Sequence, residues 1–167
     1  MLMKNNDIHI IHGTDYKNMT IRLLEQAGLA DLIGDRKKKI GMKPNLVVAK
    51  DPSQGATTHG ELLEGVICYL QNNGFRNITI MEGSWVGDST PAAFRAAGYD
   101  RISRQYGVEL KDLQADTWKT YDAAGMDIRL CDSAAEVDFM INMPVLKGHC
   151  QTTVSYTHLT LPTTSRV

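Results

Sequence analysis

An ammonium, an imidazole and a thiol stand within four positions, Lys147, His149 and Cys150, with Gly148 between the first two. They follow Phe139–Met143, a short apolar run that reads as a buried strand. Asn142 is its one polar member, and Pro144 stops the ladder. In an open α/β sheet, ligands bind beyond the carboxyl ends of the strands. Histidine titrates near neutrality and also ligates metals. A glycine lets a ligand approach the backbone closely. Cys150 is the weaker candidate of the three, since a lone cysteine is usually a small hydrophobe.

Two other strand ends carry polar groups of the same kind: Lys43-Pro44-Asn45 and Glu82-Gly83-Ser84. Lys43 sits in an apolar segment, where lysines are rarely buried without a partner. It either holds an anionic ligand or Glu82, or it points outward from an edge. Glu82 is a general base or a metal ligand if burial raises its pKa, or else one half of an ion pair. Asn45 either meets a ligand or caps its own turn. Gly55–Gly60 leads into a helix start, where free N–H groups and the dipole favour phosphate or carboxylate. That segment is neither a G-x-G-x-x-G nor a Walker loop. Thr58 is then a ligand contact or a plain cap. The catalytic candidates are Lys43, Glu82 and His149. The ligand-binding candidates are Asn45, Thr58, Gly83, Ser84 and Lys147. No metal is identified by this pattern.

The elements that must position these residues alternate. Strands are expected at Asp7–His12, Lys39–Asn45, Asn77–Met81, Val108–Leu113 and Phe139–Met143. A helix is expected over Asn18–Ala27, ended by Gly28, with a short continuation at Leu29–Ile33. Thr58 and Glu61 fit a capping box ahead of the stripe Leu62, Leu63, Val66, Ile67 and Leu70. Thr90 and Pro91 open another helix, with a break at Gly98. Asp116–Ala124 reads as loop or irregular strand, Met126–Leu130 as an edge, and Ser133–Glu136 as a helical turn. The pattern predicts an α/β fold: a Rossmann-like, mainly parallel sheet of about five strands with helices on both faces.

Bulk composition narrows the function. An apolar fraction of 43% with 22% charged residues fits a water-soluble globular domain. The formal net charge of −1 gives no global field for nucleic acid, and Arg36–Lys39 reads as a solvated turn. No run approaches a membrane span, so no membrane partner is expected. Cys68, Cys131 and Cys150 are too scattered for a disulfide framework or a metal knuckle. A reducing cytoplasm is the simplest setting.

Five segments, taken together, resemble one family. I-G-M-K-P-N-L-V, G-A-T-T-H-G-E-L-L-E-G-V, I-T-I-M-E-G-S, F-R-A-A-G-Y and V-D-F-M-I-N-M-P-V-L-K-G-H stand in the order and spacing of DUF362, a domain of unknown function often described as iron–sulfur-associated. Lys43, Pro44, Asn45, Glu82, Gly83, Lys147 and His149 match its pattern. His59-Gly60 replaces the usual His-Pro or Asn-Pro, and Gly148 stands where threonine is common. The resemblance assigns residues 1–153 to the amino-terminal part of that domain. It also gives a remote, fold-level similarity to the amino-terminal part of nickel-pincer lactate racemases. Many members add a ferredoxin-like cysteine run, which this chain lacks, so the resemblance implies an iron–sulfur cluster and a redox partner only for a longer protein. Val154–Thr164 resembles a translated sequencing adapter, and residues 154–167 are expected to be a non-native tail.

The expected activity is binding of a small anionic ligand or a metal-containing cofactor at the strand carboxyl ends. Redox or isomerase chemistry is what the resemblance favours. The alternative is a non-catalytic ligand-binding or electron-transfer module whose cluster-binding part is absent here.

Overall fold

The structure, a computed structural model, describes residues 7–85, 87–149 and 153–154, with the backbone alone at 148, 149, 153 and 154. Helix α1 (Tyr16–Ala27) begins two residues before the expected Asn18 because Asp15 caps it, accepting from the Asn18 N–H at 3.1 Å. Gly28 ends it in the left-handed conformation, φ 64°, and α2 (Leu29–Ile33) follows. Strand β1 (Ile40–Pro44) leads through a long loop to α3 (Gly60–Asn72) and then β2 (Ile78–Glu82). Helix α4 (Thr90–Ala96) is capped by Ser89, one residue earlier than expected. It breaks at Gly98, φ 73°, before α5 (Tyr99–Tyr106). Strand β3 (Glu109–Asp112) precedes a hairpin of β4 (Trp118–Ala123) and β5 (Met126–Cys131). One turn of helix, α6 (Asp132–Ala135), leads to β6 (Phe139–Met143). The two-residue strands β7 (Gly148–His149) and β8 (Thr153–Val154) pair antiparallel beyond it.

The fold is α/β, with a four-stranded parallel sheet flanked by helices and a separate antiparallel hairpin. The sheet runs β3-β2-β1-β6. Ile40 lies opposite Ile78 on one side and Phe139 on the other. Alternate residues share a face. Ile40, Met42, Ile78 and Ile80 therefore enter one core with Leu63, Ile67 and Leu70 of α3 and Tyr99 and Ile102 of α5. Helix α1 lies against α3 with Ile21 and Leu24 packed on the same core.

The chain crosses from β3 at one edge to β6 at the other through residues 113–138. Asp116 fixes that crossover. Its carboxylate accepts from the Ser133 N–H at 2.9 Å and pairs with Lys111 at 3.1 Å. The Ser133 backbone and side chain, then Lys111, hold the Asp116 pKa down to about 2.

Two of the expected strand assignments change. Asp7–His12 forms no strand: Ile8 and Ile10 are 85% and 73% exposed, and no described strand pairs with the segment. Alternating isoleucines supply faces, but a ladder also needs a neighbour. Conversely, the stretch read as loop plus edge is a regular hairpin. Its turn uses Ala124 and Gly125, both at positive φ, 56° and 78°. An Ala-Gly turn lacks the Asn-Gly or Asp-Gly signature, which is why the sequence hid it. Cys150 and the expected tail lie outside the described residues, apart from the backbone of Val154.

The α1–α3 contact depends on Gly65. A Cβ there would lie 2.7 Å from the Lys17 carbonyl oxygen and 2.7 Å from the Thr20 Cβ. Gly65→Ala should therefore destabilise the domain by about 1–3 kcal/mol despite its better helix propensity, measured by chemical denaturation.

Candidate functional site

All four sheet strands point the same way, so their carboxyl ends form one rim. From β1 the chain moves to β2 and β3 on one side, then returns to β6 on the other. The order therefore reverses between β1 and β6. In doubly wound sheets that reversal opens the crevice where ligands bind.

Glu82 ends β2 and is buried, at 4% exposure. Both of its oxygens accept from Lys43 Nζ, at 2.9 and 3.0 Å. The Gly83 N–H donates to one oxygen at 2.8 Å and the Leu46 N–H to the other at 3.1 Å. A carboxylate surrounded by a cation and two peptide N–H groups is fully engaged as an acceptor. The group joins the end of β1, the turn after it and the end of β2.

Thr58 makes a second junction. The sequence suggested a capping box with Glu61. Instead α3 starts at Gly60, with His59 as N-cap and no side-chain cap bond. The Thr58 hydroxyl accepts from the Asn45 N–H at 2.9 Å and donates to the Met143 carbonyl at 2.8 Å. Its N–H donates to the Asn45 carbonyl, 2.9 Å, and its carbonyl accepts from the Tyr99 hydroxyl, 2.7 Å. The hydroxyl is thereby taken up tying β1 to β6 across the reversal. Burial, with a smaller contribution from the Glu82 charge, pushes the Tyr99 phenol far above its usual range and keeps it a donor.

Asn45 and Lys147 meet at the Ala56 carbonyl. It accepts from Asn45 Nδ2 at 2.6 Å and from Lys147 Nζ at 3.1 Å. Asn45 is fully buried, yet its Oδ1 has no hydrogen-bond partner among the described residues. Lys147 is half-buried, and its ammonium rests on a neutral carbonyl with no carboxylate partner among the described residues. Desolvation lowers its pKa.

Ser84 is buried beside Thr90: its N–H donates to Thr90 Oγ1 at 3.1 Å, and Gln114 Nε2 donates to its carbonyl at 2.6 Å. The Gly83 N–H is engaged by Glu82. The rim thus brings together Lys43, Asn45, Thr58, Glu82, Gly83 and Ser84, with Lys147 joined through Ala56. Only the backbone of His149 is described, in β7. Sequence reasoning missed the Ala56 and Met143 carbonyls and Tyr99. Carbonyls carry no residue-type signal, and a tyrosine just past the Gly98 break has no spacing that marks its hydroxyl as a donor to a distant loop.

A cavity of about 700 Å³ lies elsewhere, lined by Lys39, Thr79, Met81, Lys111, Ser133 and Val137 among others. Two of its lysines are paired, Lys39 with Glu136 and Lys111 with Asp116, each at 3.1 Å.

Residues 40–158 match the family model described as Domain of unknown function (DUF362). The chain belongs to the DUF362 family. It is 26% identical over 129 residues to the thylakoid-associated protein sll1697 of Synechocystis sp., covering 73% of this chain and 36% of that protein. This DUF362 chain thus spans about a third of the length of that curated relative. No solved structure is a significant match. Among the described residues, no helix is long and apolar enough to cross a membrane, and no three His, Cys, Asp or Glu side chains gather as a metal site. The described residues do not form an iron–sulfur ligand set, since Cys68 lies in α3 and Cys131 at the end of β5.

Removing the Glu82 carboxylate leaves the Lys43 ammonium and two N–H groups without their acceptor. Lys43 keeps 31% of its side chain in water, which softens the loss. Glu82→Ala should cost about 3 kcal/mol in urea denaturation, and Glu82→Gln less, because its amide oxygen still accepts.

Proposed function

We propose that this DUF362 domain binds a small anion at the reversal point between β1 and β6, with Lys147 as the cation that meets it. The carrying observation is the Lys147 ammonium: half-buried, resting on the Ala56 carbonyl, with no described carboxylate to neutralise it. An unneutralised cation in a partly desolvated position gains most from an incoming phosphate or carboxylate. The start of α3 supports the reading, since its first N–H groups have no side-chain cap.

Lys43 then has a different role from Lys147. Its ion pair with Glu82 sets the relative height of the β1 and β2 ends, and its charge adds to the field at the rim. Asn45 and Thr58 shape the floor; Gly83 and Ser84 line the β2 side. His149, two residues beyond Lys147, is the group proposed to move a proton in an isomerase or redox step. A cytoplasmic setting belongs to the same proposal and suits the free thiols Cys68 and Cys131.

One observation favours the second reading, a binding module without turnover. Glu82, the carboxylate at the rim, accepts four hydrogen bonds and has no vacant position for a substrate proton. The same engagement argues against a nucleotide site, where a carboxylate at the end of the second strand holds the ribose.

Calorimetric titration of the purified chain with inorganic phosphate and with malonate tests the proposal. Saturable binding is expected, weakened about tenfold or more in Lys147→Met and largely kept in Lys147→Arg. Equal affinity in Lys147→Met and wild type would overturn it.

A further inference from the structure

Two lysines reach the same rim in opposite electrostatic states. Lys43 Nζ lies on both oxygens of Glu82, and losing its proton would strip a buried carboxylate of its counter-charge. Lys147 Nζ faces a neutral carbonyl, so losing its proton strands no anion. Beside it is the buried Asn45 amide, donating to the same Ala56 carbonyl while its Oδ1 lacks a donor among the described residues. A buried acceptor without a partner costs free energy until something donates to it. The site therefore combines an amine that can become neutral, an acceptor waiting for an O–H or N–H, and an uncapped helix start suited to a carboxylate.

We infer that Lys147 is a nucleophilic amine that forms an imine with a 2-oxo acid. The inference rests on the anion-binding reading and names the ligand class for that site. A 2-oxo acid carries its carboxylate one bond from an electrophilic carbonyl, matching a site where the anion and the amine are adjacent. Lys147 first gives a proton to solvent. Its nitrogen lone pair then forms the C–N bond as the carbonyl π bond breaks, and one proton passes from that nitrogen to the oxygen to give a neutral carbinolamine. That hydroxyl is the donor Asn45 Oδ1 lacks. The hydroxyl then takes back from solvent the proton released in the first step, the C–O bond breaks, water leaves, and a protonated imine remains, so the positive charge beside the carboxylate is restored. No oxidant or reductant is required. Desolvation, which lowers the Lys147 pKa, supports the geometry by enlarging the neutral fraction.

The full 167-residue chain should be incubated with pyruvate and sodium borohydride, then digested and mapped by mass spectrometry. Borohydride delivers hydride to the imine carbon and fixes the adduct as a secondary amine. Lys147 is expected to be labelled about tenfold faster than the exposed Lys50 and Lys119, and faster than Lys43. Asn45→Leu, which removes the acceptor offered to the carbinolamine hydroxyl, should slow labelling at Lys147. Lys147→Arg should bind malonate and give no adduct at that position. Uniform labelling of all lysines, with malonate still bound, would overturn the imine and leave the anion site standing. Uniform labelling together with no malonate binding to the wild-type chain would overturn both.

Discussion

The rim depends on one buried carboxylate. Glu82 is held by an ammonium from β1, by the N–H of Leu46 in the turn after β1, and by the N–H of its own neighbour Gly83. A parallel sheet gives its strands a common direction, but the height at which each ends is set by such cross-links. Taking a carboxylate out of water is costly unless cation and N–H donors replace the lost hydration. The arrangement meets that condition within three adjacent segments of chain. It also fixes where the long loop after β1 must leave the sheet.

From that point the loop has little freedom. Asn45 sits beneath Thr58, and Thr58 reaches the Met143 carbonyl at the end of β6. Tyr99 closes the other side by donating to the Thr58 carbonyl. These bonds bring the start of α3 to the place where strand order reverses. Lys147, four residues past β6, then lands on the Ala56 carbonyl. The two lysines differ because their neighbours differ: one faces a carboxylate and the other a peptide oxygen. Residue type alone gives them the same charge and the same reach.

Much of this was legible in the sequence. The β1, β2 and β6 segments are apolar runs bounded by turn residues, and the polar groups Lys43, Glu82 and Lys147 stand at or just past their ends. Alternation with helices then predicts parallel strands and a shared rim. The role of Thr58 was not legible, because a threonine three residues before a glutamate satisfies the capping-box pattern whether or not it caps. Asp7–His12 misled for a related reason: period-two hydrophobicity reports two faces and says nothing of a neighbouring ladder. The hairpin was hidden by an Ala-Gly turn, and the Ala56 carbonyl by having no side chain to announce it.

Side-chain ammonium resonances report most directly on the central claim that Lys147 is the cation left for a ligand while Lys43 is held by Glu82. In proton–nitrogen correlation spectra of the lysine Nζ groups, adding malonate should move the Lys147 signal saturably and leave Lys43 nearly fixed. Movement of Lys43 with Lys147 unchanged, or equal small shifts across the exposed lysines, would contradict the account.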